Sequence, residues 1–447
     1  MRQLTIIKKN SIQIMTIYAL STAPGTAGLA VIRLSGPKAL EALKTIVKNK
    51  DFLHSQFVKC KFYHPVNHKQ LDSGLAVYFK GPRSFTGEDV VELHIHGGYA
   101  NTSIVLSALA TIKYLRIADQ GEFTKRAFIN DKIDLTGIEA LGDLINSQTE
   151  QQHEQALFHM SGSLSKLYLN WRKKLIELTA LIEVELDFAD EDLPENISKN
   201  LHIKIDSIIE EMQAHVNESN QGEILREGFK IVIIGEPNVG KSSLINLLAK
   251  RDVAIVSDIA GTTRDAIEVN LNINGFPVII TDTAGLRISN DKIEKLGIGI
   301  ALSKIEESNA VIEIFTDPKK IIKKDKHISV LNKVDLIKIN EKDLGQTIPI
   351  SITNNIGIDL LISRIEKTIK NYFPSISKTI PTHVRYKIGV EKIIQSLNSA
   401  KDINLFEAPE LVVEELRTGI YEIGRLTGTV DVEEYLEVIF KEFCIGK

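Results

Sequence analysis

The sequence predicts a multidomain protein of α/β plus α class: a small α+β domain, then a discontinuous helical domain with a mostly parallel, doubly wound α/β domain inserted into it. Three observations carry that prediction. At 447 residues the chain exceeds the roughly 250 to 300 residues at which single hydrophobic cores stop growing. Regular alternation of strand-like and helical runs is confined to about residues 228 to 372. Helical periodicity lies on both sides of that stretch, which places the α/β domain as an insert.

In chain order, residues 1–15 read as a disordered extension. Arg2, Lys8 and Lys9 precede the run from Ser11 to Leu20, but Gln13, Thr16 and Tyr18 interrupt the apolar centre that a signal peptide requires. The folded protein is expected to begin near Met15, since ordered-looking sequence starts at Ile17. The first domain, 1–135, mixes strands at Leu29 to Leu34, Leu75 to Phe79 and Val90 to Ile95 with helices near 38 to 47 and 100 to 113. Residues 136–226 form the first part of the helical domain: Leu164, Leu167, Tyr168, Trp171, Leu175, Leu178 and Ile182 recur at three- and four-residue spacing and mark one core-facing stripe. Residues 227–373 carry strands at 229 to 234, 277 to 281, 310 to 315, 328 to 331 and 347 to 351. Residues 374–447 return to helix, with segments at 384 to 401, 408 to 426 and 431 to 443. Both helical sets need partners for their apolar faces, so they are expected to pack together.

Composition bounds the function. Hydrophobic residues make up 43% and charged residues 25%, ordinary for globular protein throughout. Net charge is -4 with pI about 6.3, so nothing marks a strongly basic nucleic-acid binder. Cys60 and Cys444 are too few for a disulfide framework, and no stretch reaches the roughly 18 apolar residues of a membrane span; a cytoplasmic protein is expected. His94 and His96 make a His-x-His pair on one strand face, but no nearby Cys or third His completes a metal site, so packing or hydrogen bonding is expected of them.

The chemistry lies in the insert. Gly235, Gly240, Lys241 and Ser242 satisfy Gly-x-x-x-x-Gly-Lys-Ser between the strand Phe229 to Ile234 and the helical run Leu244 to Ala249. The glycines let backbone N–H groups wrap the phosphates, the helix N-terminus adds positive potential, Lys241 reaches the β and γ phosphates, and the Ser242 hydroxyl ligates Mg²⁺. Asn332, Lys333 and Asp335 form Asn-Lys-x-Asp at the end of the strand from Ile328. An ionised Asp335 can only accept hydrogen bonds, and guanine presents two donors on one edge where adenine does not. Between them stands Asp282-Thr283-Ala284-Gly285: Asp282 should hold Mg²⁺ through water, the Gly285 N–H can sense the γ-phosphate, and Thr263 in Gly261-Thr262-Thr263-Arg264-Asp265 completes the Mg²⁺ shell. Together these are the marks of a Ras-like P-loop domain that binds and hydrolyses GTP. The residue after Gly285 is Leu286, which cannot position attacking water as a glutamine does in Ras-type enzymes; another polar group or a cation must act there. Contacts to GTP are expected from Asn238, Val239, Gly240, Lys241, Ser242 and Ser243, from Ser257, Asp258, Ile259, Ala260, Gly261, Thr262 and Thr263, and from Ser351, Ile352 and Thr353 beside the base.

Three further motifs resemble those of one family: Phe85-Thr86-Gly87-Glu88-Asp89 with His96-Gly97-Gly98, then Gly121-Glu122-Phe123-Thr124 with Arg126-Ala127-Phe128, and the terminus Phe443-Cys444-Ile445-Gly446-Lys447. The chain resembles, from about Ile17 to Lys447, the potassium-activated tRNA modification GTPases called MnmE or TrmE. The resemblance implies a folate-binding N-terminal domain that homodimerises, a helical domain and an inserted G domain. It further implies a heterotetrameric complex with an FAD-bearing partner, MnmG or GidA, which adds an aminomethyl or carboxymethylaminomethyl group to C5 of the wobble uridine of certain tRNAs. The one-carbon source is a tetrahydrofolate derivative, 5-formyl or 5,10-methylene. By motif match Glu294 takes the place of the catalytic glutamate that acts on water, which in isolation would read as a solvated helix-start carboxylate. Asn238, with Ser257, Ile259 and Thr262, matches the ligands of K⁺. Arg33, Glu92, Lys132 and Lys447 match the folate pocket, and Cys444 is carried to the same site with its role open between nucleophile, proton donor and packing group.

One departure stands in the base loop, where the family commonly has Ser-Ala-x and this chain has Ser351-Ile352-Thr353. The rival reading is a ribosome-assembly GTPase of the Era or Der kind. Against it, no Gly-x-x-Gly RNA-binding segment or repeated G motif follows, and Glu407 to Glu415 is an acidic stretch.

Overall fold

The computed structural model describes residues 15–48, 50–187, 196–251, 253–255, 268–282, 303–318, 327–337 and 344–430, together with Leu436, Ile439, Phe440, Phe443 and Gly446. By contact density the chain divides into two compact units, Met1–Gly142 with Gly424–Lys447, and Asp143–Ile423. The residues after Gly424 therefore group with the N-terminal unit, not with the helices that precede them.

The first unit is built on a six-stranded sheet of β1 (Thr16–Leu20), β2 (Ala27–Ser35), β3 (Phe57–Tyr63), β4 (Gln70–Phe79), β5 (Val90–Gly97) and β6 (Leu115–Ile117), in the order β3-β4-β5-β2-β1-β6. The period-two pattern decides the faces. Val91, Leu93 and Ile95 turn inward and are fully buried, while Glu92, His94 and His96 turn outward. Helices α1 (Ala39–Ile46) and α2 (Tyr99–Ala110) complete the core through Leu43, Val105 and Leu109. After β6, α3 (Glu122–Ile129) carries Arg126, which is 2% exposed and donates to Glu88 Oε2 at 2.9 Å, Glu122 Oε1 at 2.9 Å and the carbonyl of Met15 at 2.9 Å. Ser35 Oγ donates to Glu88 Oε2 at 2.7 Å and lies 2.7 Å from Thr86 Oγ1. Two of the distinctive motifs thus supply one buried ion network. From the chain's end, Leu436, Phe440 and Phe443 pack with Phe128, Leu135 and Ile138. Gly446 lies against the β1–β2 connection, where its carbonyl accepts from Ser21 Oγ at 3.0 Å.

The second unit combines helices with the second sheet. Helix α4 (Leu135–Asn146) begins in the first unit and enters the second at Asp143, and α5 (Glu150–Met160) leads into the long pair α6 (Ser163–Asp187) and α7 (Asn196–Glu227). Six of the seven residues of the expected α6 stripe, Leu164, Tyr168, Trp171, Leu175, Leu178 and Ile182, are within 3% of full burial, while Leu167, at the edge of that face, is only half-buried. The second sheet contains β7 (Phe229–Gly235), β8 (Glu268–Ile273), β9 (Phe276–Asp282), β10 (Ala310–Phe315), β11 (His327–Leu331) and β12 (Ile348–Pro349), ordered β12-β11-β10-β7-β9-β8. It is parallel except for β8, an antiparallel edge joined to β9 by the Asn274-Gly275 turn. Helices α8 (Lys241–Leu248) and α9 (Ile358–Tyr372) flank it. The chain then returns to helix in α10 (Val384–Asp402) and α11 (Pro409–Thr427). Among the described residues, no helix is long and apolar enough to cross a membrane.

Candidate nucleotide site

The strand register assembles this site. Ile233 of β7 pairs with Asp282 of β9, so the phosphate loop and the last residue of β9 leave the sheet side by side. The loop needs glycine at both ends. Gly235 has φ +150°, with the Ile314 carbonyl 2.3 Å from where a Cβ would stand, and Gly240 has φ +104°, with Asn332 Nδ2 at 2.6 Å. Behind the loop, buried Leu244, Ile245 and Leu248 pin α8 to the sheet and aim its N-terminus at the loop.

Within this frame Lys241 is buried and its Nζ donates to the carbonyls of Gly235 at 2.8 Å and Glu236 at 2.9 Å, folding it across the loop. Ser242 Oγ donates to Asp282 Oδ2 at 2.5 Å, and Asp282 is fully buried. A hydroxyl and a carboxylate converging at the phosphate loop suit a hard, oxygen-preferring cation, so both residues fit Mg²⁺. Asn238 sits in the same loop with φ +59°.

The base side is tied directly to the phosphate side. Asn332 Nδ2 donates to the Val239 carbonyl at 2.7 Å, and Lys333 Nζ donates to the Asn238 carbonyl at 3.1 Å. The Ile352 N–H donates to Asn332 Oδ1 at 3.4 Å. Asp335 is exposed in the short 3₁₀ turn Val334–Leu336, and its carboxylate has no hydrogen-bond partner among the described residues. Ser351 is fully buried below the loop, while Ile352 and Thr353 follow it toward the surface. Ser243 lies exposed on α8.

Several expected site residues lie outside the described residues: Ser257, Asp258, Ile259, Ala260, Gly261, Thr262, Thr263, Thr283, Ala284, Gly285, Glu294, Cys444 and Lys447.

On the outer face of the N-terminal sheet, Arg33 and Glu92 are cross-strand partners joined at 2.8 Å. The Arg33 guanidinium lies over the rings of Phe85 at 5.5 Å and Phe123 at 5.9 Å. Lys132 runs beside Gly87, its Cε 3.2 Å from where a Cβ on that glycine would stand. The His-x-His pair is divided between two acids. His94 Nε2 lies 3.5 Å from Glu92, and His96 Nδ1 lies 2.8 Å from Asp72. Among the described residues no group of three or more potential ligands gathers around a metal position. Burial alone would raise the Asp72 pKa, but hydrogen bonds from the His96 N–H, Asn101, the His96 ring and the Ser73 N–H outweigh it and hold the carboxyl below its ordinary value. Sequence reading missed Asp72, because only the pairing of β4 with β5 brings it to His96.

A family model described as the MnmE helical domain matches residues 135–444, and one described as the GTP-binding protein TrmE N-terminus matches residues 16–132. The tRNA modification GTPase MnmE of Parvibaculum lavamentivorans is 44% identical over 438 residues, covering 97% of this chain and 100% of that one. The protein of the same name from Rickettsia bellii is 41% identical over 447 residues, with the same two coverages. Among solved structures, the G domain of the T. maritima FeoB iron transporter matches at 24% identity and a TM-score of 0.24, covering 31% of this chain and 98% of that one.

Proposed function

The chain belongs to the MnmE, or TrmE, family, and on that premise we propose that it is a cytoplasmic GTPase serving a folate-dependent, wobble-uridine-modifying complex. The observation that carries the GTPase reading is the junction of phosphate and base elements: Lys241 across the loop, Ser242 on Asp282, and Asn332 on Val239. In this reading Lys241 and the N–H groups from Asn238 to Ser243 hold the phosphates, and the Asp335 carboxylate accepts from the guanine edge. Ser242 and Thr263 hold Mg²⁺, which supplies charge to the β and γ phosphates when bound. Leu286 leaves water positioning to Glu294, and Asn238, with Ser257, Ile259 and Thr262, is the proposed ligand set for K⁺ in place of an arginine finger.

The wider assignment has the chain act as a homodimer with the flavoprotein MnmG and tRNA, taking its one-carbon unit from a tetrahydrofolate bound by Arg33, Glu92, Lys132 and Lys447. Two features support that pocket. Arg33 and Glu92 meet on one face, and Gly446 lies against Leu20, whose neighbour Ala19 pairs with Arg33. The domain limits 1–135, 136–226, 227–373 and 374–447 are part of the same proposal, with the difference that the residues from Gly424 onward group by their contacts with the N-terminal unit.

Hydrolysis should run faster in K⁺ than in Na⁺, and equal turnover in the two salts removes the potassium assignment. Glu294→Ala should slow hydrolysis while GTP affinity stays near normal, as for a group that acts in the transition state. For the whole assignment, mass spectrometry of wobble uridines from cells lacking the protein decides: the C5 group should be missing, and unchanged nucleosides count against it.

A further inference from the structure

We propose that Arg251, just beyond α8, is a positioning residue that fixes the loop Ser351–Gly357 and so sets how tightly the site reads the 6-oxygen of guanine. The inference rests on the GTP-binding reading and deepens it.

The loop is short and sharply bent. Ser351 and Ile356 exchange backbone hydrogen bonds at 3.0 Å in both directions, Asn355 has φ +54°, and Gly357 has φ +72°. A Cβ on Gly357 would lie 2.1 Å from the Pro349 carbonyl. With the two donors of guanine assigned to Asp335, a backbone N–H of this turn can meet only an acceptor of the base, the 6-oxygen; the turn can offer the Thr353 N–H, and that of Ile352 if it leaves its long bond to Asn332, only while the whole turn keeps its place. Among the described residues, side chains from outside the loop reach residues 351–357 with hydrogen bonds at two points. On the near limb, Asn332 Oδ1 accepts from Ile352 N–H at 3.4 Å, which is long. On the far limb, Arg251 Nη2 donates to Asn355 Oδ1 at 2.7 Å, and Nη1 pairs with Asp359 in the first turn of α9. The planar fork of the guanidinium suits this two-point grip, which an ammonium cannot reproduce.

Arg251 also has a fixed base. Its N–H donates to the Leu248 carbonyl, and its own carbonyl accepts from Ala254 N–H at 2.9 Å, so it is held to the end of the phosphate-loop helix. Its side chain is 22% exposed although Asp359 is 89% exposed. Asn355 and Asp359 both stand at the surface, so neither bond is shielded; the 2.7 Å bond to Asn355 carries the positioning because it is the one that ends on the loop itself, while the solvent-screened pair with Asp359 holds the other arm of the guanidinium. Asp335, which meets the other edge of the base, lies outside this grip.

That separation gives the test. On the full chain, dissociation constants are measured for GDP, for inosine diphosphate, which keeps the 6-oxygen and lacks the 2-amino group, and for 2,6-diaminopurine riboside diphosphate, which keeps the 2-amino group and lacks the 6-oxygen. Arg251→Ala should weaken GDP and inosine diphosphate alike, by about fivefold, the scale of one charge-assisted hydrogen bond in a partly solvated setting. The diaminopurine nucleotide should be nearly unaffected. Asn355→Ala should do the same, the double variant should add little, and Arg251→Lys should recover only part. Parent-like affinity for all three nucleotides, or an equal loss for all three, overturns the proposal. A parent protein that binds no GDP removes the GTP-binding reading and this inference with it.

Discussion

Replacing Arg126 with Met keeps most of the side chain's volume and removes its charge from a site that is 2% exposed. Glu88 would keep only its bonds from Ser35 and its neighbours, while Glu122 would retain Arg116 and the Asp119 N–H. Removing one member of a buried ion pair costs about 3–5 kcal/mol. Because Glu122 stays paired, the lower end applies, about 3 kcal/mol. For a unit of this size that corresponds to a melting-point fall on the order of 6–12 °C. Adding Glu88→Gln to Arg126→Met should recover part of the loss, since a neutral amide removes the unpaired buried charge. Scanning calorimetry with urea titration of the parent, single and double variants measures this, and GTP hydrolysis at 25 °C should remain near parent level. A single variant within about 0.5 kcal/mol of the parent refutes the reasoning, as does a double variant less stable than the single.

Burial, with the nearby His159 adding, pushes the pKa of His215 down to about 4, against the Tyr168 hydroxyl at 3.1 Å. The unfolded chain therefore binds a proton between about pH 6.5 and 4 that the folded chain does not, and stability falls as pH drops through that window, by about 3 kcal/mol at most. Urea midpoints at pH 7 and pH 4.5 should show a smaller difference in His215→Gln than in the parent; an unchanged difference assigns the acid sensitivity elsewhere. At Gly222 in α7 a Cβ would stand 2.0 Å from the Pro381 carbonyl. Gly222→Ala should destabilise by about 1–3 kcal/mol through that clash, although alanine gains up to about 1 kcal/mol in helix propensity. A stabilised variant in denaturant titration would mean that the 381 backbone yields freely.

What was legible in the sequence follows from the range of the signals. The α6 stripe and the strands β7, β9, β10 and β11 announce themselves because their periodicity is local. β3 was missed because Phe57 and Val58 lead into Lys59 and Lys61, charged outward positions that obscure a strand whose inward side is Cys60 and Phe62. β8 alternates Asn270 and Asn272 with Leu271 and Ile273, yet it is hard to read because asparagine is a poor strand former and the edge strand is only six residues long. The phosphate-loop residues were readable because their spacing is fixed by the phosphates they are expected to wrap. The pairings Asp72 with His96 and Arg251 with Asn355 span two strands in one case and a whole domain in the other. No local pattern encodes such distances.

The two connections of the insert run close together. Gln221, near the end of α7, donates to the Tyr372 carbonyl at 3.2 Å at the end of α9, and Gly222 packs on Pro381 just beyond. Departure and return of the chain are thus neighbours, as at the ends of most autonomous domains. The flanking helices can close on each other with little loop entropy whether the insert is long, short or missing. A gene in which a few glycines replace residues 229 to 373 should therefore still encode a foldable helical bundle. The same geometry would let the nucleotide domain mature on its own schedule as the chain emerges, without waiting for α10 and α11 to arrive.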